Sequence, residues 1–507
     1  MPRKSVVKTV TILPPVGGLN ARDPIANMDE GDAVIMENIF PGTSDVMLRK
    51  GHESYSTGLP DIVETLMVYN SFTGQTLFAV SSGTFYVAAQ GTASSAGVSG
   101  LTNSQWQHTN FTDQSGGNWL YAVNGADSGR VYNGTAWVTV TGSSTPAMTG
   151  ASSADMVNVN VHVNRLWFVK KNTLSAYYMP VGVAGGSATE FDLGPVFRLG
   201  GKLMASGSWT LDAGEGMDDH TVFITDRGEV AVYKGTDPSS ANTWQKVGTY
   251  LIAPPIGYRC FVKYAGDLVA ITTDGFYPMS RALQTERGQN QAISDKIRDL
   301  VREDAALFKS QNGWQGLFYP GAPFLLFSVP DTNQRKQYVM NTLTGAWAKL
   351  TGWNAYSWAL LGDEPYFGGD GAVYRAWSTN ADAGQNIVGD CLPAYSDFGT
   401  PGRQKRFTLA RPLILTNGSA GVRMRMATDY GDQDVSSDIT ITASTAGVWD
   451  SGTWDSATWG GDTELQRRWQ TLGGVGMVGS PRIRIICNGA EMRWLSTDVV
   501  YEVGGIL

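Results

Sequence analysis

The stretch that predicts the fold is Leu77-Phe-Ala-Val-Ser-Ser-Gly83-Thr-Phe-Tyr86, an apolar strand, a glycine-centred turn and a second strand with a tyrosine. The same arrangement recurs along the chain, and its later tyrosines are Tyr132, Tyr178, Tyr233, Tyr277, Tyr338 and Tyr374. Successive tyrosines are 36 to 61 residues apart. A repeat of roughly 40–50 residues built from short strands is typical of a β-propeller blade. The sequence therefore predicts an all-β protein with a β-propeller of six or seven blades.

Turns and tryptophans within the repeats support this prediction. Tight hairpins need residues with positive φ, and Asn-Gly and Asp-Gly pairs supply them. Such pairs begin at Asn124, Asn133, Asp274 and Asp370. Tryptophans close several repeats, and we expect them to pack one blade against the next; they are Trp137, Trp244 and Trp347.

Composition limits the class of protein. A chain of 507 residues is too long for one ordinary core, so two or three domains are expected. The net charge of −8 gives no broad basic surface for binding nucleic acid. Three distant cysteines, Cys260, Cys391 and Cys487, predict no disulfide framework. Lys8 breaks any hydrophobic core of an N-terminal signal peptide. No apolar stretch is long enough to span a membrane, so we expect a soluble protein made in a cytoplasm.

The repeats divide the chain into three predicted regions. Residues 1–65 lack the repeat and are predicted to form an extended segment for subunit or adaptor contacts. Residues 66–385 are predicted to form the propeller, with one inserted helix for which Ser294 is the expected N-cap. Residues 386–507 lose the period and predict a separate β-sandwich-like platform domain.

Three tryptophans near the C-terminus follow one another at intervals of five residues: Trp449, Trp454 and Trp459. Odd spacing along an extended chain alternates the two faces, so these rings cannot all point into one core. We therefore expect at least one of them to contact another surface, such as a partner subunit.

A search for catalytic machinery finds no convincing motif. The four histidines lie in unrelated contexts, and Gly474-x-Gly476-x-x-Gly479 is followed by a strand instead of a helix, which argues against a dinucleotide site. The crowded carboxylates Asp212, Glu215, Asp218 and Asp219 predict a solvated acidic loop, with a bound cation or catalysis as alternatives. The loop from Asp429 to Asp438 has spacing that calcium could use, but a turn is the preferred interpretation. We predict no catalytic, cofactor or metal site and no enzymatic activity.

Both ends of the chain carry motifs that resemble those of one protein family. The N-terminal motifs are Gly17-Gly-Leu-Asn20, Asp23-Pro-Ile25, Glu37-Asn-Ile-Phe-Pro41 and Arg49-Lys-Gly51. The C-terminal motifs are Phe407-Thr-Leu-Ala-Arg411-Pro-Leu413, Arg482-Ile-Arg484 and Trp494-Leu-Ser-Thr-Asp498-Val-Val-Tyr501-Glu-Val-Gly504-Gly505. With these motifs the sequence resembles the tail hub or nozzle proteins of short-tailed bacteriophages, which are also called tubular tail or stabilisation proteins.

The resemblance implies a structural virion protein. In that family six copies form a ring below the head–tail adaptor, extend the DNA ejection channel, help to retain the genome and attach fibres or a needle. The resemblance also implies that the protein is located in the virion tail. The net charge of −8 predicts that phage DNA passes through the lumen without sequence-specific binding, and the lack of a long apolar stretch predicts no membrane partner. In such a ring, the basic residues Arg403, Lys405 and Arg406 are expected to face a protein partner or to make sparse contacts with the DNA tip.

A second function stays open at this stage. Propellers also include carbohydrate-binding and glycan-cleaving proteins, among them receptor-binding tail proteins. A propeller glycosidase would need two carboxylates that face each other across a pocket. The stretch from Asp450 to Trp454 is one residue short of the sialidase Asp-box spacing, so the tail hub remains the first hypothesis.

Overall fold

A computed structural model describes residues 7–212, 217–282, 292–431, 437–441 and 463–504. The described chain is all-β apart from two α-helices, α1 (Met279–Ala282) and α2 (Arg298–Phe308), and three single 3₁₀ turns. It divides into two compact units. Unit 1 contains residues 1–53, 336–353 and 376–507, and unit 2 contains residues 54–335 and 354–375.

Short strands precede the repeats, and four sheets of unit 2 follow them. The first strands are β1 (Val7–Ile12), β2 (Gly18–Leu19), β3 (Asp32–Glu37), β4 (Ile39–Pro41) and β5 (Val46–Leu48). The first sheet contains β6 (His52–Ser71), β7 (Gly74–Ser81), β8 (Thr84–Val87), β9 (Gly91–Thr92) and β10 (Ser94–Val98). The second contains β11 (Gln107–Thr112), β12 (Asn118–Val123), β13 (Arg130–Tyr132) and β14 (Trp137–Thr139).

The third and fourth sheets repeat the same order. After β15 (Met148–Thr149), the third sheet is built from β16 (Met156–His162), β17 (Arg165–Lys170), β18 (Ser175–Tyr178) and β20 (Thr189–Asp192), with β19 (Gly186–Ser187) pairing β15. The fourth is built from β21 (Leu203–Asp212), β22 (Met217–Thr225), β23 (Glu229–Gly235) and β24 (Trp244–Leu251). Consecutive antiparallel strands in sheets of four give a β-propeller-like arrangement of four blades, fewer than the six or seven predicted.

Three further groups of strands complete unit 2. The first is the three-stranded sheet of β25 (Phe261–Tyr264), β26 (Asp267–Thr272) and β27 (Gly275–Pro278), and the second is the hairpin of β28 (Gln315–Tyr319) and β29 (Phe324–Val329). The third is β32 (Ser357–Leu361), β33 (Glu364–Gly368) and β34 (Asp370–Ala376), which continue the first sheet beyond β6. Between these lie β30 (Lys336–Asn341) and β31 (Trp347–Thr351), which belong to unit 1. Because β6 lies between β7 and β34 in the sheet order, strands from the start and the end of unit 2 meet on it.

Aromatic side chains pack neighbouring blades together, as the sequence predicted. The Trp137 ring of the second sheet contacts Phe78 of the first at 5.1 Å between ring centroids. Trp244 of the fourth sheet stacks on Trp167 of the third at 5.4 Å. Contacts of this kind contribute roughly 0.5–1.5 kcal/mol beyond the area they bury. Trp347 is also buried, but it lies in unit 1.

The predicted hairpin turns are confirmed, and the predicted helix cap is wrong. Positive φ values occur at the glycines of all four turn pairs: Gly125, Gly134, Gly275 and Gly371. The side chain of Ser294 does not cap the helix. It accepts a hydrogen bond from the Phe276 amide at 2.9 Å, and a 3₁₀ turn over Asp295–Ile297 precedes α2. The helix contacts β27, and its buried residues include Val301 and Ala305.

Unit 1 contains two sheets built from both ends of the chain. Its remaining strands are β35 (Ile387–Pro393), β36 (Lys405–Thr416), β37 (Ala420–Thr428), β38 (Ser437–Ile441), β39 (Glu464–Arg467), β40 (Gln470–Gly476), β41 (Gly479–Cys487) and β42 (Met492–Val503). One sheet has the order β39-β36-β42-β5-β4, with β1 also on β42 and β40 also on β36. The other contains, in order, β30, β31, β2, β3, β35, β41, β37 and β38.

This division differs from the predicted regions 1–65, 66–385 and 386–507. The N-terminal strands do not form an extended segment, since β1 and β5 pair with β42, and β3 pairs with β35. The β30–β31 hairpin, which lies inside the predicted propeller region, also belongs to unit 1. The physical reason is that the short strands β1, β3 and β5 gain backbone hydrogen bonds beside distant C-terminal strands.

Candidate functional site

The predicted basic contact residues differ in their surroundings. Arg403 and Arg406 are exposed. Lys405 is buried, and its Nζ donates to the carbonyl oxygens of Thr400 at 2.9 Å, Arg403 at 3.0 Å and Met477 at 2.6 Å. Burial lowers the pKa of Lys405, and the nearby carboxylates Asp397 and Asp429 oppose this shift. Lys405 is therefore an internal support of unit 1, and of these three basic residues only the two arginines are exposed.

Several other predicted positions lie outside the described residues. Trp449, Trp454 and Trp459 are among them, as is Glu215 of the acidic loop. The exposed Asp219 is the one carboxylate of that loop whose side chain is described. The described carboxylate of the second acidic loop, Asp429, accepts a hydrogen bond from the Met477 amide at 2.7 Å, which fits the predicted turn. Among the described residues no group of three or more His, Cys, Asp or Glu could hold a metal ion.

A buried charged cluster connects distant parts of unit 1. Arg49 donates through both terminal nitrogens to Asp382, Nη1 to Oδ1 at 2.8 Å and Nη2 to Oδ2 at 2.6 Å. Its Nε donates to Asn38 Oδ1 at 2.9 Å, and its guanidinium lies over the Trp353 ring. Burial would raise the pKa of Asp382, but hydrogen bonds from Arg49 and His52 outweigh it and hold that pKa below its usual value.

Other motif residues from the two chain ends also make hydrogen bonds and ion pairs in unit 1. Asn20 donates to Asp32 Oδ2 at 2.7 Å and to Asp23 Oδ2 at 2.9 Å. Arg411 of β36 donates to Asp498 of β42 at 2.6 Å.

Two motif arginines of β41 share one carboxylate of β35. Arg482 and Arg484 each donate through Nη2 to Asp390 Oδ2 at 2.8 Å. Burial would raise the pKa of Asp390, and the hydrogen bonds from both arginines lower it overall. The motif residues of the two chain ends therefore hold the strands of one unit together.

Unit 2 has its own polar centre around Arg259, which precedes β25. Its Nη2 donates to Thr65 Oγ1 at 2.6 Å and to the Trp106 carbonyl at 3.0 Å. Its Nη1 donates to the Glu64 carbonyl at 3.1 Å and to Gln315 Oε1 at 3.4 Å. One guanidinium thus connects β6, the segment before β11, and β28.

The side chain of Gln315 extends this network to another sheet. Its Nε2 donates to the Trp358 carbonyl of β32 at 2.9 Å. No sequence motif identified Arg259, which follows the turn Pro254-Pro-Ile-Gly-Tyr258 and resembles an ordinary loop arginine.

Two cavities lie beside Arg259. Three residues line both of them: Arg259, Gln107 and Tyr258. The first, of about 220 Å³, is also lined by His108 of β11, Asn158 of β16 and residues 205–207 of β21. The second, of about 450 Å³, is also lined by Glu64 and by residues 309–314. Burial lowers the pKa of Arg259 to about 10, and the negative charge of Glu64 partly opposes this shift. Burial, with the charge of Arg259 as a smaller cause, lowers the pKa of His108 to about 4.

The cavities described here do not offer the paired carboxylates of a glycosidase. Glu64 is the one carboxylate that lines the two cavities at Arg259. A third cavity, of about 420 Å³ beside β23, is lined by Asp219, and a fourth, beside β36, by Glu502. Retaining and inverting glycosidases commonly need two carboxyl groups on opposite sides of a substrate. In the described part of the chain, no helix is long and apolar enough to cross a membrane.

Comparison with known proteins gives no family. No family model and no curated relative matches the chain. Among solved structures, the extracellular domain of a hybrid two-component system from B. thetaiotaomicron has a TM-score of 0.41 and 12% identity over 66% of this chain and 40% of its own. BBS1N in complex with ARL6DN has a TM-score of 0.39 and 8% identity over 64% of this chain and 96% of its own.

Raptor from Chaetomium thermophilum is similar at a comparable level. It has a TM-score of 0.38 and 10% identity over 65% of this chain and 30% of its own. The chain therefore spans less than half the length of two of these three proteins. Likeness at this level says nothing about function, and the strand pairing of unit 2 is seen in its own sheets.

Proposed function

We propose that this chain is a structural protein of a bacteriophage tail, a tail hub or nozzle subunit that forms a ring with further copies of itself. One observation carries the proposal. The motifs that resemble this family lie at opposite ends of the sequence, yet all of them fall within unit 1. Their polar residues make the ion pairs and hydrogen bonds of that unit, including Arg49 to Asp382 and Arg411 to Asp498.

The two-unit organisation also supports the proposal. In the family that the sequence resembles, each copy combines a propeller with a β-rich platform. Unit 2 corresponds to the propeller, and we propose that its three further groups of strands, β25–β27, β28–β29 and β32–β34, are blades too, which gives a total of seven. Unit 1 corresponds to the platform, and we propose that its two sheets form a sandwich. The helix α2 is an insertion between two of the proposed blades.

The proposed ring has six copies below the head–tail adaptor. It extends the ejection channel, helps to retain the genome and attaches fibres or a needle. The net charge of −8 per chain supports passage of DNA without sequence-specific binding, because a surplus of carboxylates repels phosphates. Arg403 and Arg406 are the proposed adaptor or subunit contacts, together with Trp449, Trp454 and Trp459. Lys405 is left out of this set because its ammonium group is used internally.

The location of the protein is the most direct test. Virions of the phage whose genome encodes this chain are purified, and the chain is quantified by mass spectrometry and labelled with a specific antibody. We expect six copies per particle and labelling at the tail below the head. Absence from purified virions would contradict the proposal. The carbohydrate-binding alternative is tested by applying the purified chain to a glycan array. That alternative predicts saturable binding to one glycan class.

Surface variants test the ring contacts separately. R403Q combined with R406Q removes two exposed charges without removing a described hydrogen bond to their side chains. We expect this double variant to fold normally and to reduce incorporation into tails. K246Q, which removes an exposed charge on β24 of unit 2, is the control and should assemble normally. Normal, infectious particles from the double variant would show that these arginines are not contacts.

A further inference from the structure

The two cavities beside Arg259 in unit 2 carry an unusual balance of charge. Their charged lining residues are Arg259, Lys263, Lys309, Arg335 and Glu64. Four cations and one carboxylate give a local charge of +3, whereas the whole chain carries −8. Because His108 is neutral at pH 7, it adds no charge of its own there.

The cationic groups of these cavities are not neutralised by direct ion pairs. The four hydrogen bonds of Arg259 all go to neutral oxygens, those of Glu64 carbonyl, Thr65, Trp106 and Gln315. Within the described residues, no carboxylate lies within salt-bridge distance of Arg259, and the same is true of Lys263 and Lys309. A cation without a carboxylate partner in a sheltered site creates a positive potential that attracts anions.

Arg335 is held in place on the wall of the larger cavity. Its guanidinium lies 3.6 Å from the centre of the Tyr356 ring, and its Nη1 donates to the Ala355 carbonyl at 3.4 Å. Burial lowers the pKa of Arg335, and the contact with Tyr356 opposes this shift. A guanidinium fixed in this way keeps its other donors available for a ligand at little entropic cost.

We propose that the cavities around Arg259 form a binding site for a small organic anion that carries a carboxylate or phosphate group. The larger cavity, about 450 Å³, falls within the usual range for small-molecule sites. Arg259 and Arg335 supply fixed donors, and the exposed Lys263 and Lys309 supply mobile charge at the two cavities. The amide side chains of Asn158 and Gln107 can bind the hydroxyl groups of such a ligand. This proposal is independent of the ring.

The competing explanation is that Arg259 has a purely structural role. Variants of Lys263 and Lys309 distinguish this explanation from ligand binding. Lys263 and Lys309 are exposed and make no described ion pair, so K263Q and K309Q should fold normally. K246Q removes an exposed charge on β24, away from both cavities, and is the matched control. E64Q removes the one carboxylate while keeping the oxygen that accepts from Gln105 and Asn312.

The experiment is titration calorimetry on the full chain with three probes: inorganic phosphate, citrate and glucuronate. We expect saturable binding of at least one probe, and the best binder distinguishes a phosphate from a carboxylate ligand. The double variant K263Q/K309Q should bind roughly tenfold more weakly, K246Q should bind normally and E64Q should bind more tightly. No binding by any probe, or equal binding by the double variant and K246Q, would overturn the proposal.

Discussion

Arg49 and Asp382 are 333 residues apart in the sequence, yet both terminal nitrogens of the guanidinium bind the two carboxylate oxygens at 2.8 and 2.6 Å. The Arg49 side chain is 1% exposed, so the pair is formed away from solvent. It joins the segment after β5 to the segment before β35, and the same guanidinium also donates through Nε to Asn38. We therefore regard it as a central support of unit 1.

Removing this support should destabilise unit 1. We expect R49A to lower the free energy of unfolding by about 3–5 kcal/mol, because Asp382 is left buried without its main partner. Arg22 pairs with Asp23 on the surface, so R22A is the control and should cost less than about 1 kcal/mol. Urea unfolding of the full chain measures both, and hydrogen exchange assigns the loss to β3 and β35. Equal effects of the two variants would contradict this role.

The buried His162 should make unit 2 sensitive to mild acid. Burial is the main cause that lowers the pKa of His162 to about 4, against an ordinary value of 6.5. The unfolded chain therefore binds a proton between pH 6.5 and pH 4 that the folded chain does not bind, and stability falls as the pH falls through this window.

The variant H162Q tests this contribution. We expect the wild-type chain to lose about 2 kcal/mol more than H162Q between pH 6.5 and pH 5, where most carboxylates stay ionised. Urea titrations at both pH values provide the measurement. Parallel loss of stability in the two proteins would show that His162 does not titrate in this way.

Lys405 should matter for stability, and its neighbours should not. K405M leaves three carbonyl oxygens, those of Thr400, Arg403 and Met477, without their donor. We expect a loss of about 2–4 kcal/mol, since each unsatisfied buried acceptor is costly. R403Q and R406Q remove exposed charges and should change stability by less than about 0.5 kcal/mol. Thermal unfolding of the three variants checks the contrast, and a K405M variant as stable as the wild type would refute the support role.

Truncations should separate an edge strand from the core of unit 1. Deleting residues 1–12 removes β1, which is mostly exposed and pairs only with β42. We expect both units to remain folded in that variant. Deleting residues 1–40 also removes β2, β3 and β4 and the buried Asn38, so unit 1 should unfold while unit 2 stays folded. Limited proteolysis with mass spectrometry distinguishes these outcomes, and a protease-resistant unit 1 after the longer deletion would contradict the strand pairing.

The sequence by itself determined the features that depend on neighbouring residues. Alternating apolar strands and the repeated tyrosines predicted an all-β chain with propeller-like sheets, and four glycines such as Gly125 and Gly275 have the positive φ that their turns require. These features are local because strand period and turn geometry are set within a few residues. The prediction that Trp137 and Trp244 pack blades together also held, since a large ring at a strand end has few other places to be buried.

Only the tertiary structure decided which distant segments meet. The strand β3 pairs with β35 and β1 with β42, so the predicted regions 1–65 and 386–507 are parts of one unit. Likewise, Lys405 and Arg406 are adjacent in the sequence but differ in role, because only Lys405 faces three carbonyl oxygens inside unit 1. Pairing over several hundred residues and the role of a charge both depend on which surfaces bury one another, and no local pattern contains that information.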